Sequence, residues 1–423
     1  MTADAVLSTT PAAAPGGKPR GRRLSLPKVL LIIAGALVGL AIVHALTGAD
    51  DVTSKGAIQA ALESAVPIGL AGLGGLWAER AGVVNIGLEG QMILGTWFGA
   101  WGSINYGPWL GLLIGILGGA LGGLIHAVAT VTFGVDHIVS GVALTILATG
   151  VARFLSFLAW EGKAGGGGAT QSPTVNDRLP RVSLPGVDSL GGLERKQWFL
   201  ISDVAGVLRG LFVDISIVTI LAVLLVPLSW WLLWRTTFGL RIRSVGEDPL
   251  AAESLGIGVY RYKYYAVIIS GGVAGLGGAF LSTVASSIYR EGATGGRGYI
   301  GLAAMIFGNW RPGGLAIGAT LFGYTDALQL RRGSESVHAL LILVGALLIA
   351  LAVWEWRRRH RGVAIAALVL GGLSYLTFFA VDTIPTALVQ AAPYVTVLVV
   401  LALAAQRLRP PAADGKPYRR GGS

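Results

Sequence analysis

The feature that most constrains the fold of this chain is a succession of long apolar runs with basic residues at their ends. The runs lie at 29–46, 57–77, 83–103, 108–132, 138–160, 213–234, 264–286, 312–329, 337–354, 363–381 and 386–405, with a shorter one at 298–308. Most of them approach the roughly 20 residues that an α-helix needs to cross the hydrocarbon core of a bilayer. The pattern therefore predicts an all-α integral membrane protein, a polytopic bundle of about 10–12 transmembrane helices.

The composition supports a membrane protein and excludes several chemistries. Hydrophobic residues make up 53% of the chain and charged residues only 13%, about half the charged fraction of a soluble domain. The 64 glycines follow no collagen-like period, and small residues allow membrane helices to pack closely. The absence of cysteine excludes disulfides and thiolate sites. The histidines are scattered without metal-ligand spacing, so we expect no metal, no other cofactor and no membrane enzyme.

The net charge of +11 is explained by membrane topology, so no nucleic-acid partner is expected. Basic residues concentrate in the segments that would lie inside, as the positive-inside rule requires. The predicted layout is a cytoplasmic basic tail (1–28), a membrane domain (29–355), further C-terminal transmembrane helices (356–405) and a cytoplasmic tail (406–423). Within the membrane domain, 161–212 is predicted to be extracellular and 235–263 to be cytoplasmic. Both termini are therefore expected in the cytoplasm. The helices between them are expected to contact membrane lipid.

Short segments of the chain repeat at a distance. The sequence AGLGG at 71–75 recurs at 274–278, and IGL at 86–88 recurs at 300–302. In the predicted topology the two copies run in opposite directions, as in transporters built from inverted repeats. Chance matching between Gly/Leu-rich helices explains the repetition equally well.

The predicted cytoplasmic loop contains a short helix with clear end signals. Asp248 suits the N-cap, Pro249 suits the first helical position and Gly256 can end the helix in the left-handed conformation. A helix this short is unstable in water alone. We therefore expect it to dock into a groove on another protein, with an ordinary structured loop as the alternative.

Three segments in order carry a resemblance to a known family. They are ERAGVVNIGLEGQM at 79–92, FGLRIRSVGEDPLAAESLGI at 238–257 and GYIGLAAMIFGNWRP at 298–312. Together they resemble the bacterial ABC permeases of the branched-chain amino acid, ribose and nucleoside group. The first and third are similar to its nucleoside and simple-sugar branch. The resemblance covers about 60–330, and the remaining residues match only as spans or tails.

The resemblance implies a non-catalytic permease subunit of an ATP-driven importer in the bacterial plasma membrane. Its implied partners are cytoplasmic ATP-binding subunits, a second permease that is often a different paralogue, and an extracellular solute-binding lipoprotein. In agreement, the chain has no G-x-x-x-x-G-K-[ST] phosphate loop. The G-x-G-x-x-G match at 296–301 has no strand before it and indicates no dinucleotide site. The implied small polar solute is a nucleoside such as guanosine, with ribose or another simple sugar as the alternative and an ion-coupled secondary transporter as a third class.

The resemblance also implies which residues would contact the ATPase. They lie in the 238–257 segment and are Arg241, Arg243, Gly246, Glu247, Asp248, Pro249, Ala251, Ala252 and Gly256.

Ionisable residues within the apolar runs are candidates for function, because a charge at the bilayer centre costs at least about 2.5–3.5 kcal/mol. They are Glu63, Glu89, His126, Arg153 and Asp326. We expect the charges of Arg153 and Asp326 to reach the interface from near the ends of their helices. His126 alone is expected to be a packing residue.

Five residues near the Gly-rich segments are candidates for the translocation path. Asn85 lies one helical turn before Glu89, so the two side chains are expected to share a helix face and line a polar cavity. A polar contact between helices is the alternative. Trp97 and Trp310 are candidates for stacking on a nucleobase, with an interfacial or packing role as the alternative. Asn309 adjoins the break after the short run at 298–308.

Overall fold

The computed structural model describes residues 26–331, 333–404 and 408–420. The predicted basic tail 1–28 therefore lies outside the described residues, except for 26–28. The first residues of the predicted C-terminal tail, up to 407, also lie outside them.

The described ranges are built almost wholly from helices, as the apolar runs predict. In chain order the α-helices are α1 (Leu26–Thr47), α2 (Lys55–Arg80), α3 (Leu88–Tyr106), α4 (Pro108–Ala127), α5 (His137–Trp160), α6 (Gly191–Glu194), α7 (Ile201–Phe212), α8 (Ile217–Arg235), α9 (Thr237–Glu247), α10 (Pro249–Ser254), α11 (Val259–Phe280), α12 (Arg297–Phe307), α13 (Pro312–Leu330), α14 (Gly333–Arg357), α15 (Arg361–Ala380) and α16 (Thr386–Ala404). Two short strands, β1 (Arg181–Val182) and β2 (Ile215–Ser216), pair antiparallel. The all-α prediction is confirmed.

Seven helices in the described ranges are long and apolar enough to cross a membrane, namely α2, α4, α5, α8, α11, α14 and α15. Their outward residues are large and apolar, and Ile146, Phe154 and Leu376 are each more than 60% exposed. Such a surface fits a lipid environment, and the polytopic membrane class is confirmed. The count of about 10–12 spans stays a prediction. α3 is long enough but carries buried polar residues, because it is enclosed by other helices rather than by lipid.

The core is formed by two groups of three helices, α2–α4 and α11–α13. The first helix of each group packs against the other two helices of the opposite group. α2 packs against α12 and α13, whereas α11 packs against α3 and α4, and α2 and α11 also pack against each other. Glycines allow these approaches: a Cβ on Gly72 would lie 2.5 Å from the carbonyl oxygen of Gly301, and one on Gly275 would lie 2.6 Å from that of Gly115. The repeated sequences thus lie in α2 and α11, two central helices that contact each other, and the inverted repeat itself stays a prediction.

The connecting segments gather at two opposite ends of the bundle. The coupling end contains the α2–α3 loop, α9, α10, the α12–α13 turn and residues 408–420. The opposite end, here the loop end, contains 161–216 with α6, α7 and the two strands, together with 286–292. α16 runs back to the coupling end and packs against α12 and α13, so the predicted C-terminal helices contact the motif-bearing core.

Candidate functional site

The helix α12 is the short, broken element that the sequence predicts. It has 11 residues and is therefore about 16 Å long, which is too short to cross a bilayer. Before it, Gly292, Gly295 and Gly296 all have positive φ angles, which let the non-helical chain enter from the loop end. After it, Asn309 and Trp310 adopt φ angles of 55° and 52°, and α13 follows at Pro312. Broken helices of this kind are where transporters commonly place their transport path.

Glu89 holds the beginning of α12. Its carboxylate accepts the main-chain N–H of Gly296 at 3.0 Å and that of Gly298 at 2.8 Å. Glu89 is only 5% exposed, so these bonds satisfy two of the N–H groups that a helix start leaves unpaired. A Cβ on Gly298 would lie 2.6 Å from the nitrogen of Glu89. The first turns of α3 and α12 therefore abut directly.

Asn85 lies beside this junction but not on the same helix as Glu89. α3 begins only at Leu88, and Asn85 lies in the preceding loop. Its fully buried carboxamide donates to Gln91 Oε1 at 2.9 Å and to Ser270 Oγ at 2.8 Å. The prediction that Asn85 and Glu89 share one helical face is wrong, because the side chain of Asn85 bonds forward to α3 and across to α11 instead of extending the helix.

The end of α12 is held by residues adjacent to the same motif. Trp310 is buried, and its indole N–H donates to the carboxylate of Glu79. Arg80 donates to the carbonyl oxygen of Trp310 through Nε at 3.1 Å and Nη2 at 2.6 Å. The 79–92 segment therefore holds both ends of α12, with Glu89 at the start and Glu79 and Arg80 at the finish. Sequence reasoning singled out Trp310 for stacking, but its ring lies within the apolar core.

A buried ion pair joins α12 to α13. Arg297 donates to Asp326 Oδ2 through Nη2 at 2.7 Å and Nε at 3.1 Å, and Gln329 donates to Asp326 Oδ1 at 2.6 Å. Asp326 is 4% exposed, so the expectation that its charge reaches the interface is wrong. Sequence reasoning missed Arg297, although a basic residue at the start of a membrane helix is unfavourable to the helix dipole and signals a nearby acid.

Trp97 belongs to an aromatic cluster farther along α3. Its indole N–H donates to Ser156 Oγ at 3.0 Å, and its ring lies 5.3 Å from Trp160 and 6.3 Å from the nearly parallel ring of Trp101. About 12 Å of helix separates Trp97 from Glu89. The five predicted path residues thus lie at three levels. Asn85 and Glu89 are central, Trp97 lies toward the loop end, and Asn309 and Trp310 lie at the coupling end.

The short helix of the predicted cytoplasmic loop is present as α10. Asp248 accepts the N–H of Ala251 at 3.0 Å, Pro249 opens the helix and Gly256 follows it with a φ of 77°. Leu250 and Leu255 are 51% and 80% exposed. Both side chains therefore project from the surface of this segment.

The other predicted coupling residues divide into exposed and internal ones. Arg241, Glu247, Asp248, Ala251 and Gly256 are exposed, Arg243 and Pro249 are partly exposed, and Gly246 and Ala252 are buried.

Two of these residues connect α9 to the membrane helices. Arg243 Nε donates to the carbonyl oxygen of Leu233 at 2.8 Å. A Cβ on Gly246 would overlap the carbonyl oxygen of Arg80. These two residues therefore fix α9 to the membrane helices.

In the part of the chain that the structure describes, no three His, Asp or Glu side chains are grouped so that they could hold a metal ion.

Comparison with known proteins gives a consistent result. The profile of the family described as "Branched-chain amino acid transport system / permease component" matches residues 57–352. The guanosine ABC transporter permease protein NupQ of Bacillus subtilis is 36% identical over 64% of this chain and 81% of its own length. The nucleoside ABC transporter permease protein NupC of Lactococcus lactis is 33% identical over 83% of this chain and 93% of its own. The putative glucose ABC transporter permease protein TsgC13 of Haloferax volcanii is 37% identical over 67% and 80%. No solved structure matches.

Proposed function

The chain belongs to the branched-chain amino acid transport permease family and is a multi-pass ABC transporter permease, and from that premise we propose that it imports nucleosides. The observation that carries this proposal is the match to the nucleoside permease NupC, which covers 93% of that protein. The guanosine permease NupQ supports it at 36% identity. Import of a simple sugar is the second candidate, because the putative glucose permease TsgC13 is 37% identical.

The proposed permease works with a second, different permease. In each of three organisms, two permeases named for the same kind of solute match this chain unequally. NupQ and NupP are 36% and 24% identical, NupC and NupB 33% and 22%, and TsgC13 and TsgB13 37% and 26%. This chain resembles the same member of each pair. We infer a heterodimeric pairing in which the partner corresponds to the other member.

ATP hydrolysis is proposed to take place in separate cytoplasmic subunits that dock on α10. The exposed Leu250 and Leu255 would enter an apolar groove, and Asp248 keeps the helix formed. The coupling end also carries the basic residues of α9 and of the α14–α15 turn, which supports placing it in the cytoplasm of a bacterial cell together with both termini. The extracellular binding lipoprotein would then deliver solute at the loop end.

The proposed path alternates access around the junction of α3 and α12. At this point Asn85, Gln91 and Ser270 provide buried hydrogen-bonding groups, and Glu89 fixes the start of α12. The aromatic cluster around Trp97 lies toward the entry; the rings of Trp97 and Trp160 are buried, and the partly exposed Trp101 is the member that would offer a face to a base. Movement of α12 against α3 would open the path to one side or the other.

The test is uptake of labelled guanosine, adenosine and ribose in cells with and without the gene, with ATP depleted at constant membrane potential as a further condition. Loss of nucleoside uptake that ATP depletion also abolishes supports the proposal. Loss of ribose uptake alone moves the solute to simple sugars. Uptake that persists after ATP depletion but collapses with the membrane potential would indicate ion coupling and refute it.

A further inference from the structure

Residues 408–420, here the C-terminal strap, cross the coupling end in a non-helical path with a turn at 412–415. The main-chain N–H of Arg409 donates to Asn309 Oδ1 at 2.8 Å, and that of Ala413 donates to the carbonyl oxygen of Gly246 at 2.9 Å. The strap therefore touches the α12–α13 turn with its first residues and α9 with its middle. None of the roles described so far uses it.

The middle of the strap is built into the protein. Gly82 has a φ of 76°, and a Cβ there would lie 3.0 Å from the carbonyl oxygen of Ala413 and 3.3 Å from the Cα of Gly246. Three main-chain segments thus meet without intervening side chains: the α2–α3 loop, the end of α9 and the strap. Ala413 is only 6% exposed. A tail resting loosely on the surface would not require glycine on both sides of it.

Asp414 is the anchor of the strap. Its carboxyl group lies beside that of Glu79, the residue that accepts the indole N–H of Trp310. Two carboxyl groups in such contact must share a proton, because two adjacent carboxylates repel. Lys263 lies near enough to attract Asp414 and donates to the carbonyl oxygen of Gly82 at 3.3 Å. Glu79 therefore contacts both the strap, through Asp414, and the end of α12, through Trp310.

The last part of the strap contacts α10 and the start of α11. Arg420 Nε approaches Glu253 Oε1 at 3.2 Å, and the ring of Tyr418 lies 5.4 Å from that of Tyr260. Closer to the middle, the N–H of Ala412 donates to Glu247 Oε2 at 3.3 Å. The strap therefore joins the segment that bears on the ATPase to the residues that hold α12.

We propose that the C-terminal strap transmits movement of α10 to α2 and α12, and so couples ATP hydrolysis in the partner to opening of the path. This role rests on the proposed function of the chain as an ATP-driven importer. α10 is bounded by Asp248 on one side and by Gly256, with its positive φ, on the other. Through the main chain alone, its movement would be absorbed at these bends. The strap supplies a second, direct connection to Glu79.

The experiment uses the assembled complex of this permease, its paralogue, the ATPase subunits and the binding protein in lipid nanodiscs. One variant ends at Leu408, and two others carry Asp414→Ala and Asp414→Asn. Arg419→Ala, at an exposed position of the strap, is the matched control. We expect truncation and Asp414→Ala to leave the ATPase bound but to lower guanosine-stimulated ATP hydrolysis and uptake at least tenfold. Asp414→Asn, whose carboxamide can still form a hydrogen bond with Glu79, and the control should stay within twofold of the wild type.

A second readout does not depend on the solute. Because the chain has no cysteine, Tyr299→Cys in α12, at a position 42% exposed, provides a single site for maleimide labelling. In the full-length protein, trapping the ATPase with vanadate should change the labelling rate at least threefold. In the variant that ends at Leu408, the labelling rate should stay unchanged. Equal changes in both proteins would overturn the proposal, as would loss of the bound ATPase on truncation, which would make the strap a docking surface. A wild-type complex that responds to vanadate but not to guanosine would count against the solute alone.

Discussion

Removing the Glu89 carboxylate should loosen the junction of α3 and α12. The carboxylate accepts two main-chain N–H groups, from Gly296 and Gly298, in a site that is 5% exposed. A hydrogen bond to a charged group contributes about 1.5–3 kcal/mol, so Glu89→Ala should destabilise the protein by about 3–6 kcal/mol. In Glu89→Gln, the carboxamide oxygen can still accept one of the two main-chain N–H groups. The NH₂ group then faces the second N–H and cannot accept it. Glu89→Gln should therefore have roughly half that effect.

The assay is thermal unfolding of the purified permease in one detergent, followed by intrinsic tryptophan fluorescence. We expect the midpoint to fall by about 3–7 °C for Glu89→Ala and by a smaller amount for Glu89→Gln. Glu161→Gln, at an exposed carboxyl beyond the end of α5, is the control and should leave the midpoint unchanged. An unchanged midpoint for Glu89→Ala, or equal losses for the two Glu89 variants, would show that this carboxylate does not hold α12.

Three further changes test other contacts. Gly278→Ala places a Cβ on a carbonyl oxygen of α3 and should lower the unfolding midpoint, whereas Gly150→Ala, with no atom within 4 Å, should not. Arg297→Ala leaves the buried Asp326 without its ion pair and should cost about 3–5 kcal/mol, with the double variant Arg297→Ala/Asp326→Ala recovering part of the loss in unfolding assays. Burial raises the pKa of Asp414 from 3.8 to about 6, partly opposed by its hydrogen bond to Glu79. The docked strap therefore holds a proton that the free strap releases. Strap docking should be strongest below about pH 4 and weaken as pH rises through 6. Limited proteolysis of the strap should accordingly speed up over that range, and an Asp414→Asn protein should show no such dependence.

Much of the fold follows from the sequence because lipid imposes a simple pattern. The apolar runs predict the bounds of α2, α5 and α8 to within a few residues. α3 shows where the pattern ends: the run at 83–103 is uniformly apolar enough to suggest one helix, yet the chain turns before Leu88. The reason is tertiary, since Asn85 bonds to Ser270, a partner that no local pattern reveals.

The site was predictable in its residues but not in its connections. Glu89 and Trp310 stand out as polar or aromatic residues near Gly-rich segments, and both lie at the ends of α12. Their partners come from different parts of the chain, and nothing in the spacing indicates that Glu79 bonds to Trp310. The sequence does not predict the strap, because a Pro- and Gly-rich tail with charges is typical of a solvated segment. Only the structure shows that Asp414 reaches Glu79.

The exchange of α2 and α11 between the two halves has a consequence for how the protein is made. The glycine face of α2 at Gly72 packs against Gly301 of α12, and residues 81–296 must be synthesised before α12 begins. At about 5–20 residues per second, this interval lasts roughly 10–40 s. During that time α2 is without α12, and the small residues on its α12-facing side contact lipid or an insertion factor. Completion of the core is therefore a late step of biogenesis, and a ribosome that stalls before α12 leaves a membrane-inserted chain that cannot close.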